Sequence, residues 1–160
     1  RCADGDEWLL LDAAGASMSG LRARSIRTLI VAAMKGAVLD KRAGTDDRMQ
    51  WLNEPRRPAA ARERTFRVIT AAQPSKGAAN TCDDYVVEFT LEIYYALTAE
   101  ADDRCNEDHE RFWPSLLRLA NGDPMLDVIV APLGVEETAA NYIARVSVIA
   151  HYRLDSTLFA

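Results

Sequence analysis

The chain has 160 residues, of which 49% are hydrophobic and 27% charged, a balance that suits one ordinary domain and excludes a disordered or fibrous chain. Its longest apolar run, Leu29 to Met34, is far shorter than the roughly 18 residues of a membrane-spanning helix, so no membrane partner is expected. A net charge of -5 argues against a generally basic nucleic-acid-binding surface.

The charge is unevenly spread. Residues 1–80 carry 14 Lys or Arg against 9 Asp or Glu, whereas residues 81–160 carry 5 against 15. If the halves lie on different faces, unlike patches can draw copies of the chain together. Three widely spaced cysteines (Cys2, Cys82, Cys105) predict reduced thiols in a reducing compartment. The start, Arg1-Cys2-Ala3-Asp4, lacks a secretory leader pattern, and its missing initiator Met points to a trimmed or processed end.

Residues 1–20 read as an irregular arm in which Trp8-Leu9-Leu10-Leu11 is the only apolar patch. A helix is predicted from about Leu21 or Ser25 to Arg42, with Ile26, Leu29, Ile30, Ala33 and Ala37 at helical spacing. Ser25 is its candidate N-cap and Gly44 its candidate stop. Residues 45–64 form a long loop that carries Met49, Trp51 and Leu52 among prolines and arginines; loops of this length are often functional. Thr65–Thr70 then reads as a strand, followed by a second loop over Gln73–Gly77.

The clearest pattern is Tyr85, Val87, Phe89, Leu91, Ile93, Tyr95 and Leu97, apolar at every second position. Strict alternation of this length predicts a long strand with one buried face. Ala99–Ala120 returns to helical spacing, with Asp102 and Asp103 at its start, where the helix dipole favours anions, and with Pro114 expected to kink the helix or begin its second segment. Asn121-Gly122 supplies a stop, Met125–Val130 a short strand, and Ala140–Leu154 a last alternating strand with Ile143 and Ile149 out of phase. The expectation is a single α+β domain over 1–160. Its core, at 21–154, is a four-stranded, mostly antiparallel sheet with two main helices on one face, an N-terminal arm and a long Arg-rich loop.

Chemical motifs are scarce. Neither a phosphate-binding glycine loop nor a nucleophile elbow occurs, and His109 and His151 stand in no recognisable catalytic setting. Cys105 and His109, an i,i+4 pair with Cys82, Asp83 and Asp84 as further ligands, come nearest to a metal motif. The second ligand pair is missing, and Cys105 extends the apolar stripe of Phe112 and Leu116. The acids Glu100, Asp102, Asp103, Glu107, Asp108 and Glu110 read as a solvated helix face. Glu88 and Glu92 share a strand face about 13 Å apart, too far to share a proton. No catalytic residue, metal site or cofactor is assigned. The arginine loop reads either as an interface element, with Trp51 as anchor and Arg56, Arg57, Arg62 and Arg64 as charges that order on an acidic partner (the acidic helix of a neighbouring copy or a nucleic-acid backbone), or as a solubilising loop.

This order, from Leu21 to Leu154, resembles the tail-terminator proteins of long-tailed bacteriophages and the related neck-completion proteins. The resemblance rests on Tyr85–Leu97, the acidic opening Ala101-Asp102-Asp103, the helix to Ala120 and the closing strand Tyr142–Leu154; the arm at Arg1–Gly20 and Pro114 depart from it. It implies a structural virion protein, assembled in the host cytoplasm, whose homo-oligomeric ring, commonly a hexamer, caps the tail tube and meets the head connector. DNA would pass through the lumen without specific binding, past Glu88 and Glu92 as candidate lumen or surface acids. The arginine loop would meet acidic surface of a neighbouring copy or of the tube protein. A head–tail joining or tail-completion role stays open within the resemblance. Outside it stand a small-ligand or host-protein binding module and a small metal-dependent enzyme built on Cys105 and His109.

Overall fold

The computed structural model describes residues 18–41, 47–76 and 84–154. In chain order the elements are helix α1 (Met18–Gly36), strands β1 (Gln50–Trp51), β2 (Thr65–Lys76) and β3 (Asp84–Ala96), helix α2 (Ala101–Leu117), and strands β4 (Leu126–Glu137) and β5 (Asn141–Arg153). They form one open five-stranded sheet in the order β1-β2-β3-β5-β4, antiparallel except for the parallel β1–β2 pair. The α+β class and the helix-backed sheet are as expected, with four long strands and the two-residue β1 as a fifth.

β3 and β5 lie side by side at the centre, in unbroken register from Asp84↔Arg153 to Ala96↔Asn141. Alternation puts Val87, Phe89, Leu91, Ile93 and Tyr95 on one face with Ala150, Val148, Val146, Ala144 and Tyr142 opposite them. Both helices pack there: Ile26, Ile30 and Met34 from α1, and Cys105, Phe112 and Leu116 from α2, join these residues in one buried cluster. At roughly 1.5–3 kcal/mol for each large apolar side chain removed from water, this cluster is the main source of the fold's stability.

Several expectations change. α1 begins at Met18, so Ser25 lies within the helix and is no N-cap, and Met18–Gly20 of the expected arm are helical. The rest of the arm, Gly44, Cys2 and Cys82 lie outside the described residues. β2 runs through the predicted loop to Lys76; its pairing with β3 survives two register shifts, between Thr70 and Ala72 and between Ala72 and Ser75. β4 is twice its predicted length. Pro132 and Gly134 hid its second half, because Pro132 has no N–H for a ladder and Gly134, at φ +107°, forms a bulge where the register slips. α2 continues through Pro114 to Leu117; Pro114 and Glu110, whose carbonyl the proline leaves without a donor, are both exposed to solvent.

Ile143 and Ile149, out of phase with the apolar face of β5, point to the other side of the sheet. There Ile143 pairs with Tyr94, and both are fully buried. That side is therefore not bare. The segment between β1 and β2 runs over it, and this determines where the arginines go.

Candidate functional site

Five charged side chains form an alternating row across the second face of the sheet. Glu92 on β3 stands opposite Arg67 on β2 and Arg145 on β5. Arg57, from the loop above, donates from Nε to Glu92 Oε2 at 3.1 Å and forks onto both carboxylate oxygens of Glu136, each at 3.1 Å. Glu136 also pairs with Arg145, and Glu92 accepts from Arg67 Nη2 at 3.4 Å and from the Tyr94 hydroxyl at 2.6 Å. The row reads Arg67–Glu92–Arg57–Glu136–Arg145. Each glutamate lies between two arginines, three cations against two anions, and the forked Arg57 contact has the geometry that makes such pairs strong.

Glu92 is only 5% exposed. Burial alone would raise its pKa, but the hydrogen bonds from Tyr94, Arg57 and Arg67 outweigh that and hold it below the usual carboxylate value. Burial and the bond to Glu92 push the Tyr94 hydroxyl up to about 12. The hydrogen bonds from Arg57 likewise lower Glu136. These groups keep fixed protonation states near neutral pH, as a clamp requires and a proton-transfer site does not.

The clamp continues toward β2. Asn141 closes a two-way bond with Ala61, accepting its N–H at 2.9 Å and donating to its carbonyl at 2.9 Å, and also donates to Tyr95 O at 3.0 Å. Glu63 lies 3.0 Å from Arg104 and accepts the Ala96 amide at 3.3 Å. The chain then enters β2 through Arg64, whose φ of +58° is rare for a side chain of this size. That turn directs Arg64 into the interior. There its Nε and Nη2 fork onto Asp108 of α2 at 2.9 and 2.8 Å, and its Nη1 donates to Asp40 O at 2.7 Å.

The predicted interface residues therefore part company. Arg64 is buried and leaves the set; it is held by Asp108 and the Asp40 carbonyl of its own chain. Arg57 does find acids, as expected of this loop, but they belong to its own sheet. Trp51 is half-buried and packs against the main core. Arg56 and Arg62 are exposed, with no side-chain partner among the described residues. A segment held by Arg57, Ala61 and Glu63 is folded on its own sheet, so the reading of an arm that orders only on binding is corrected. Of the two candidate lumen acids, Glu92 is buried and paired, whereas Glu88 is half-buried and accepts from Ser147 Oγ at 3.0 Å. Asp108, expected on a solvated face, lies fully inside. Its i+3 and i+4 spacing from Cys105 and Phe112 was the available signal.

Cys105 faces the core, where burial pushes its thiol up to about 11, so it is a poor nucleophile and a poor ligand near neutral pH. His109 stacks on Trp113 with ring centres 4.4 Å apart, and burial lowers its pKa. Among the described residues no group of three or more His, Cys, Asp or Glu side chains is placed to hold a metal ion. No described helix is long and apolar enough to cross a membrane.

A concave feature lies at the α1/β2 end of the sheet. A cleft of about 250 Å³ lies between the helix and the strand, lined by Arg24, Arg27, Val68, Thr70, Gln73 and Phe89 among others. Arg27 donates from Nη2 to Val68 O at 3.2 Å. Phe66 O, two residues earlier on the same side of β2, accepts from Leu52 N beyond β1. Arg27 thus caps the strand edge where β1 stops, and Arg24 lies exposed at the mouth. Compared with protein-family models and with curated proteins, the chain matches none of them.

Proposed function

We propose that this chain is a structural protein of a long-tailed bacteriophage: a tail terminator that closes into a ring on the tail tube and offers the ring's other face to the head connector. The observation that carries the reading is the element order. A basic helix, an arginine loop, the β2–β3 hairpin, an acidic helix and the β4–β5 hairpin fold into one helix-backed sheet, and the resemblance rests on that order. Inward-directed pairs also suit a scaffold: Arg64–Asp108 and the Arg67–Arg145 row fix its shape and leave its outer ends to make contacts.

The mechanism is geometric. A subunit whose two ends differ joins the next head to tail, and the series closes when the rotation per step divides a circle; six copies are the expected count. DNA passes through the lumen without specific contacts, and the work of the protein is to end tube growth and present a docking surface. A head–tail joining or tail-completion protein of the same fold would differ only in its place in the particle.

Adding purified protein to tail tubes assembled without a terminator tests the reading. Electron microscopy is expected to show a ring at one end of each tube and tubes of uniform length. Protein left in solution when the tubes are pelleted would overturn it.

A further inference from the structure

We infer that copies of this chain join through the two lateral ends of the sheet, the basic α1/β2 end of one copy receiving the acidic β4/α2 end of the next. The inference rests on the ring reading and adds which surfaces meet.

The sheet order sets the ends, with β1 and β2 at one side and β4 at the other. α1 is rotated so that Arg22 pairs with Asp123, beyond α2, while Arg24, Arg27 and Lys35 lie on the side away from α2. No acid occurs in Met18–Gly36, so the helix itself offers these cations no counter-charge. The cleft behind Arg24 gives the end a concave shape with an apolar floor, which includes Val68 and Phe89.

The opposite end is the chemical complement. β4 has no Lys or Arg over its twelve residues, and its Asp127 and Glu137 are exposed. α2 adds Asp102 and Asp103 at its start. Ile129, Leu133 and Val135 of β4 are large apolar side chains left exposed on an edge strand. Pro132 and the Gly134 bulge blunt that edge against indiscriminate pairing without covering these side chains. A partner with a basic rim and an apolar floor suits them, and the chain carries such a partner at its other end. Because the two ends differ, the contact propagates in one direction, as a ring requires; a two-fold dimer would set like charge against like.

Sedimentation velocity of the full chain at about 50 mM and about 500 mM salt tests this, with two charge-reversed variants, Arg24→Glu/Lys35→Glu and Asp127→Lys/Glu137→Lys. All four positions are exposed. The wild-type protein is expected to form a closed oligomer at low salt and to dissociate at high salt. Each variant alone is expected to associate about tenfold more weakly or worse. An equimolar mixture of the two is expected to recover the oligomer, because each reversed end then faces a reversed end, and recovery also shows that both variants fold. If both variants melt like wild type and the mixture stays monomeric, the contact is wrong. A wild-type ring indifferent to both reversals would overturn this contact and leave the ring reading standing. A wild-type protein that stays monomeric, alone and with tube ends, would overturn both. Duplex DNA binding weakened by Arg24→Glu/Lys35→Glu, with oligomerisation unchanged, would reassign the basic end to nucleic acid and overturn the contact.

Discussion

Arg64 and Asp108, forty-four residues apart, form a forked ion pair with each side chain only 1% exposed. Two charges held away from water are stable only while each satisfies the other, so removing one partner leaves a buried charge and costs about 3–5 kcal/mol. Asp108→Asn is expected to lower the melting temperature by about 6–20 °C, at about 2–4 °C per kcal/mol for a domain of this size. The double variant Arg64→Met/Asp108→Leu is expected to regain most of that loss, since an apolar pair leaves no charge unpaired. Thermal melts followed by circular dichroism check both. An Asp108→Asn protein that melts with the wild type would show that water reaches the pair.

Much of this scaffold was legible because periodicity is a local signal. Every odd position from Tyr85 to Tyr95 is apolar, and that alone fixed β3 and the face that packs on the helices. Where the signal failed, a long-range contact had set the residue's environment. Glu92 and Tyr94 occupy the polar phase of β3 yet are buried, because residues 52–63 return over that face. Nothing local marks Glu136 as the partner of Arg57, 79 residues away, or Glu92 as the partner of Arg67, 25 residues away; the path of the loop makes the first pair and β-register the second. The arginine cluster was visible as a cluster. Its division into one buried, one clamped and two exposed side chains was not, because a turn buries Arg64 and acids on two distant strands hold Arg57.

Acid should weaken the fold in two stages. Burial lowers the His109 pKa, so the unfolded chain, with an ordinary value of 6.5, binds that proton more readily than the folded one. Stability from this group is therefore present above about pH 6.5 and is lost as pH falls toward the folded value. Glu92 is also lowered in the folded state, so its contribution is present above its ordinary value of 4.5 and is lost as pH falls through the folded value. Urea midpoints measured from about pH 7.5 to 3.5 are expected to fall in a shallow step near 6 and a steeper one below 4.5. His109→Phe, which preserves the stack on Trp113, is expected to abolish the first step alone. A midpoint that rises on acidification from pH 7.5 to 5.5 would contradict the burial of this imidazole.

The loop over the second face should be separable from the core beneath it. Arg57 is the only described side chain joining Glu92 to Glu136, and Glu92 keeps Arg67 and Tyr94 when Arg57 is removed. Arg57→Ala therefore strands no buried charge, and its cost is expected to be about 1–3 kcal/mol, that of hydrogen bonds to charged groups. The Ala61 amide, bonded to Asn141 Oδ1, reports on the loop, and the β3–β5 ladder reports on the core. In Arg57→Ala, exchange at Ala61 is expected to quicken by about tenfold while β3 and β5 amides keep their wild-type protection. Asn141→Ala removes the second tether and should quicken the same segment further. Glu92→Leu behaves differently, because it leaves the Arg67 guanidinium buried beside an apolar side chain and so draws β2 and β3 into the loss. Equal quickening of loop and ladder in Arg57→Ala would mean that the two unfold as one unit, and that the arginine holds up the sheet rather than merely fastening a loop to it.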